Sequence, residues 1–219
     1  MKQVNRSDYP ADRIQRLFSG IPFFNEVLRA DEEQFNRLME LCELLEADPG
    51  DTVIRQGDSD SCLYFLLRGQ LAVMAENGGS QSQPLNYISP GEVFGTLAMI
   101  RGTPRTATIR VDESAREAVL AKLDYVHFND INDFSVLSME TKVGFYRMVV
   151  HNIRWTLEVN KMQDPSNPLV TALRKVPLYT GPKGGEEELK ALHEQAHGLA
   201  DLLCRWNEMP QTNSSVQVT

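Results

Sequence analysis

The residues best placed to do chemistry lie in one stretch, residues 89–111, which reads SPGEVFGTLAMIRGTPRTATIRV. Gly91 permits a turn into a short strand, and Gly95 lets the backbone approach a ligand with no side chain in the way. The apolar run Thr96–Ile100 suits a short helix. A helix start points free N–H groups outward and carries partial positive charge, so it suits an anion. Arg105 follows after a five-residue step and could fork onto the same anion. The hydroxyl of Thr106 and the N–H groups of Thr106 and Ala107 could complete the cradle. The chemistry this points to is non-covalent capture of one compact, singly charged phosphate flanked by apolar surface.

A second constellation competes for notice. His193-Glu194-Gln195-Ala196-His197 spells H-E-x-x-H on a helical stretch, the spacing that can hold a zinc ion. Such a centre needs a third ligand and a cleft. The other histidines, His127 and His151, lie far away in the chain, so a solvated helix face is the expectation and no metal is assigned. No serine or cysteine nucleophile has a base beside it, and no catalytic residue is assigned. Cys42, Cys62 and Cys204 share no ligand spacing and are expected as reduced thiols filling apolar space.

The elements that must position the cradle follow from patterning. Asp31 caps a helix expected over residues 31–46, with Phe35, Leu38, Cys42 and Leu45 on one face. Short β-rich runs follow at Thr52–Gln56, Leu63–Leu67, Gln70–Ala75, Leu85–Ile88, Ala107–Val111 and Glu117–Ala121. Pro49-Gly50, Gly57-Asp58, Arg68-Gly69, Asn77-Gly78-Gly79 and Pro90-Gly91 separate them, and residues 78–83 read as a hairpin tip. Many short strands between close turns predict an antiparallel sandwich or barrel. Helical texture returns at 124–134 and in a long helix over 135–163. There Met139, Val143, Tyr146, Val150, Ile153 and Leu157 alternate at four and three residues, a heptad seam that predicts a homodimer through residues 139–157. Four prolines mark 164–185 as a linker. A final helix over 186–207 carries an apolar stripe from Leu189 to Trp206 that could dock a protein partner or fold back on the module, and residues 210–219 read as disordered.

Composition sets outer bounds. The 219 residues carry a net charge of −8, which disfavours nucleic acid, and residues 164–219 hold five basic residues against seven acidic ones, poor for a DNA-contacting helix. No run reaches the 18 apolar residues of a membrane helix and the first ten residues lack a signal-peptide core, so a cytoplasmic location is expected.

The cradle segment resembles the cyclic-nucleotide-binding domain family, which includes the catabolite activator protein, the regulatory subunits of cAMP-dependent protein kinase and cyclic-nucleotide-gated channels. The family's cassette reads approximately F-G-E-[LI]-A-[LM]-[LI], a short gap, then P-R-x-A-[TS]-[VI]. Here it is Phe94-Gly95-Thr96-Leu97-Ala98-Met99-Ile100, then Pro104-Arg105-Thr106-Ala107-Thr108-Ile109. The entry Ile21-Pro22-Phe23-Phe24, Pro49-Gly50-Asp51, Gly57-Asp58, Leu63-Tyr64-Phe65-Leu66 and Gly69 agree as well, over about residues 18–160. The resemblance implies an α+β fold: an antiparallel β-roll (a double-stranded β-helix or jelly roll) flanked by helices, with a long C-terminal dimerisation helix and a helical tail. Residues 1–163 would be the sensing domain and 164–219 a linker with one tail helix. It implies that Arg105 pairs with a cyclic phosphate, that Ala98 and Ala107 donate to it, that Gly95 lies against the ribose, and that Thr106 contacts guanine and phosphate in the manner of cGMP-responsive members. Thr156 would cap the base from the long helix. cAMP or cGMP is the implied ligand, with no other cofactor. Thr96 stands where the family has a glutamate for the ribose 2′-hydroxyl. That leaves three outcomes: weak cAMP or cGMP binding, another nucleotide, or a roll that binds none; the alternatives to a sensor are then a ligand-independent dimeric scaffold or a transcription-regulator relative lacking DNA binding.

Overall fold

The computed structural model describes residues 1–74 and 84–209. The tip expected at 78–83, its flanking Ala75 and Asn77, and the 210–219 tail lie outside the described residues.

In chain order the elements are β1 (Lys2–Gln3), α1 (Ala11–Ser19), α2 (Pro22–Ala30), α3 (Glu32–Leu41), β2 (Cys42–Ala47), β3 (Thr52–Ile54), β4 (Cys62–Arg68), β5 (Leu71–Met74), β6 (Asn86–Ile88), β7 (Val93–Phe94), α4 (Thr96–Arg101), β8 (Thr108–Val111), β9 (Ala118–Asp124), α5 (Val126–Asn129), α6 (Met139–Gln163), α7 (Leu169–Lys175) and α8 (Glu186–Glu208). All strand pairings are antiparallel, in two sheets ordered β1-β2-β9-β4-β7 and β3-β8-β5-β6. This is the α+β, antiparallel β-roll with flanking helices that the sequence predicts.

An apolar layer fills the space between the sheets, with Leu66, Leu71, Phe94, Val111 and Leu120 among its buried members. Alternation along the strands supplies it: on β8, Ile109 and Val111 turn in and Arg110 turns out. The roll closes tightly at Gly69, whose φ is +96° and where a Cβ would sit 2.4 Å from the Glu117 carbonyl oxygen, so no larger residue fits.

The helix expected over 31–46 is corrected. Asp31 does cap it, accepting from the Gln34 N–H at 3.0 Å, but it ends at Leu41 and Cys42–Ala47 is a strand. Phe35, Leu38, Cys42 and Leu45 satisfy a helical spacing, yet Cys42 and Leu44 also face one side of a strand with Glu43 outside. Pairing with six residues of β9 decides between them.

The C-terminal third is also corrected. Residues 164–185 contain α7, with Leu169, Val170 and Leu173 buried. Leu169, Leu173 and the α8 stripe belong to the same apolar core as Phe18, Phe24, Phe35, Phe65, Phe145 and Leu157. A division at residue 163 therefore cuts through one continuous core.

The seam of α6 has the same outcome. Val143, Tyr146, Val150, Ile153 and Leu157 are buried within this one chain, and α8 lies along α6. The Tyr146 ring meets His193 of α8 at 5.2 Å between ring centres. Residues 139–157, from which the sequence predicts a homodimer, thus pack within the chain, with α8 and its 189–206 stripe lying along α6 in the same core. Among the described residues no helix is long and apolar enough to cross a membrane.

Candidate ligand site

The cradle forms where β7 ends and α4 begins. Gly95 takes the left-handed φ of +82° at that junction, which a side chain would resist. The first N–H groups of α4, those of Thr96, Leu97 and Ala98, have no acceptor within the helix and border a cavity of about 1180 Å³. Phe94, Gly95, Thr96, Leu97, Ala98, Arg105, Thr106, Ala107 and Thr156 all line it. The structure thus brings together every binding residue picked from the sequence. Leu97 and Ala98 are buried beneath the cradle and Thr106 is exposed at its rim.

Arg105 is not a free arm. Its side chain is 2% exposed. Nη2 donates to Asp60 and, at 2.6 Å, to the Cys62 carbonyl; Nε donates to Asp60 at 3.2 Å and Nη1 to the Gly95 carbonyl at 2.9 Å. The guanidinium also lies 5.7 Å from the centre of the Tyr64 ring. A Cβ on Gly95 would stand 2.6 Å from Nη1, so the glycine makes room for the arginine itself. Burial works to raise the Asp60 carboxyl, but hydrogen bonds from Arg105 and from the Cys62 N–H outweigh it and hold the carboxyl below its ordinary range. One Nη1 hydrogen has no acceptor among the described residues.

Thr96 is 5% exposed and its hydroxyl donates to Asn152 Oδ1 at 2.8 Å, while Asn152 Nδ2 donates to the Val93 carbonyl at 3.2 Å. The residue in the glutamate's place therefore ties the cradle to α6. The Thr156 hydroxyl donates to the Asn152 carbonyl at 3.1 Å, an ordinary bond within a helix.

Sequence reasoning missed the rest of the wall. One face of α6 contributes Gly144, Arg147, Met148, His151, Asn152 and Trp155, residues recurring at three and four positions. Trp155 is 61% exposed, an indole face open at the cavity. The signal was present as a second stripe on α6 opposite the seam. Asp60 was missed because it is 45 positions from its partner in a polar turn. Leu203 and Asn207 of α8 close another side.

The H-E-x-x-H stretch does not lie on a solvated face as expected. His193 and His197 are half-buried toward α6 and α4, 4.6 Å apart between ring centres, while Glu194 is exposed. No metal-binding cluster of three such side chains occurs among the described residues. Burial lowers the His193 pKa below its ordinary 6.5, with His197 adding to it; burial also lowers His197, where Asp201 opposes and Arg101 assists. The unfolded chain takes up these protons near pH 6.5 and the folded chain only at lower pH. Between those values the unfolded state binds more protons, so stability falls as pH drops below 6.5. Urea unfolding should show this decline between about pH 6.5 and 5, above the carboxylate range. Replacing both histidines by glutamine should flatten it; an unchanged slope would place its origin elsewhere.

Residues 44–131 match the family model described as the cyclic nucleotide-binding domain. A cAMP-dependent protein kinase regulatory subunit from Blastocladiella emersonii is 30% identical over 128 residues, covering 58% of this chain and 30% of that one. The neuropathy target esterase sws of Drosophila ananassae is 32% identical over 126 residues, covering 52% of this chain and 8% of that protein. The chain thus spans less than a third of the length of these relatives. A solved cyclic nucleotide-binding domain from Methylobacillus flagellatus superposes with a TM-score of 0.56 at 16% identity, over 72% of this chain and 86% of that one, which supports the fold. Residues 44–131 thus match the cyclic nucleotide-binding domain family, within a chain that folds as an antiparallel β-roll with flanking helices.

Proposed function

We propose that this chain is a regulatory sensor that binds a cyclic nucleotide monophosphate in the cavity between the roll and α6, and that it acts through protein contacts rather than catalysis. The observation that carries the reading is the buried Arg105 beside the free N–H groups at the start of α4, inside the segment that matches the family. The phosphate would rest there, with Thr106 and the Ala107 N–H at the rim. The Trp155 indole and the Tyr87 ring, both open at the cavity, offer flat apolar faces to a purine. A relative named as a cAMP-dependent kinase regulatory subunit favours cAMP, and Thr106 keeps cGMP in view. Thr96 offers the ribose a neutral hydroxyl already engaged by Asn152. The loss of a charge-assisted bond there weakens binding by about one to two decades relative to a carboxylate. Output would be a population shift: occupancy biases α6 against the roll through the Thr96–Asn152 tie.

The second reading is a ligand-independent scaffold. It is favoured by the pairing of Arg105, whose fork is nearly filled by its own chain. Thermal and urea unfolding with cAMP and with cGMP separate the two. A nucleotide at 100 times its dissociation constant should add about 2.7 kcal/mol to the unfolding free energy. Absence of any shift with either at millimolar concentration would leave the scaffold.

A further inference from the structure

The C-terminal helix does more than cover the α6 seam; it reaches the ligand cavity by two routes. Leu203 and Asn207 stand in the cavity wall, and Glu188 holds a cationic residue of that wall, Arg147. The Arg147–Glu188 contact is bidentate: Nε donates to Oε1 at 2.8 Å and Nη2 to Oε2 at 2.7 Å. Glu188 is 6% exposed and also accepts the Gly184 N–H at 2.5 Å, which ties down the segment leading into α8. Arg147 is 39% exposed.

This arrangement uses one edge of the guanidinium. The other edge, Nη1 with the second Nη2 hydrogen, has no partner among the described residues. A guanidinium held by a fork on one edge loses little further freedom on binding an anion with the other, which is how preorganisation raises affinity. Arg105, by contrast, is nearly saturated by Asp60 and two carbonyls. Of these two guanidiniums Arg147 is therefore the less committed, and Glu188 of α8 fixes one of its edges. Arg101 at the far end of α4 pairs with Asp201 of α8, and neither residue lines the cavity.

We infer that Arg147 is a second anion-directed residue of the cavity and that Glu188 on α8 is its positioning residue, so that binding of an anionic nucleotide and docking of α8 reinforce each other. This rests on the nucleotide-binding reading above. Coupling of this kind is reciprocal: if docked α8 tightens the nucleotide by some factor, the nucleotide holds α8 down by the same factor. The state change passed to a partner would then be the clamping of α8 and of the segment before it.

The test uses the full chain, cAMP and cGMP, calorimetric affinity, and the rate of tryptic cleavage after the exposed Lys183, next to the Gly184 N–H that Glu188 holds. In the native chain, saturating nucleotide should slow that cleavage about tenfold. Glu188→Gln keeps the shape and the acceptor but removes the charge. It should weaken nucleotide binding about tenfold and abolish the protection. Arg147→Lys keeps a cation beside Glu188 but loses the second edge, and should weaken binding to a similar extent with the fold intact. Asp201→Asn loosens the same helix without touching Arg147, and should leave affinity within about threefold of the native chain. Equal losses in the Glu188 and Asp201 variants would mean that the helix acts only as a wall, and would overturn the positioning role. Unchanged affinity in Glu188→Gln, or faster cleavage with nucleotide, would overturn it too while nucleotide binding stands. A native chain that binds neither nucleotide removes both readings.

Discussion

Replacing Arg105 by alanine is expected to lower the unfolding free energy by about 3 kcal/mol before any ligand is considered. The side chain is 2% exposed and satisfies the Cys62 and Gly95 carbonyls as well as Asp60. Alanine leaves both carbonyls without that donor, and a void where Gly95 had made room. Breaking a buried ion pair costs about 3–5 kcal/mol when the remaining charge is stranded. Asp60 is 36% exposed and can recover some hydration, which argues for the lower end of that range. Arg105→Lys keeps the charge but not the fork, and should cost about 1–2 kcal/mol. Urea unfolding of the two variants without ligand measures this. A loss below about 1 kcal/mol in the alanine variant would show that the Asp60 and carbonyl contacts contribute little. Loss of nucleotide response in Arg105→Ala therefore combines a missing contact with a collapsed cradle. The lysine variant, corrected for its own stability, is the cleaner probe.

How far the sequence revealed this site depended on the range of each interaction. Gly91, Gly95, the start of α4 and Arg105 lie within 15 residues, so their order and spacing were readable as a cradle. Asp60 completes that cradle from 45 positions away, and nothing in a turn reading DSDS announces which acid will face an arginine. The β2 strand was lost to ambiguity: a few apolar residues can satisfy helical and strand spacing at once, and only pairing with β9 resolves the choice. The stripes on α6 and α8 were both visible, since amphipathic period survives in any environment. Which surface covers a stripe is a tertiary fact. A heptad seam reads the same whether its partner is a second copy or a downstream helix, and in this chain α8 lies along it. The Arg147–Glu188 pair was hidden for the same reason, its members separated by 41 positions and an intervening helix.

The occupancy of the seam makes Tyr146→Ala the second large effect. Tyr146 is fully buried; its hydroxyl donates to the Phe128 carbonyl at 3.0 Å and lies 2.8 Å from the Tyr125 hydroxyl. Its ring meets Phe145 edge-on at 5.3 Å and His193 of α8 at 5.2 Å. Truncation removes a large buried ring, a hydrogen bond to a buried carbonyl and the contact that fastens α8, so a loss of about 4 kcal/mol is expected. Tyr146→Phe keeps the ring and should cost about 1–2 kcal/mol, from the unsatisfied carbonyl. A dimer seam and an internal core respond differently to concentration. If Tyr146 sits between α6 and α8 of one chain, the native melting temperature is independent of protein concentration and the alanine variant melts lower at every concentration. A dimer held through 139–157 would instead show a melting temperature rising with concentration. In that case the variant's deficit would appear first as dissociation. A concentration-dependent native transition that the Tyr146 substitution abolishes would restore the seam to a second copy of the chain and displace α8 from it.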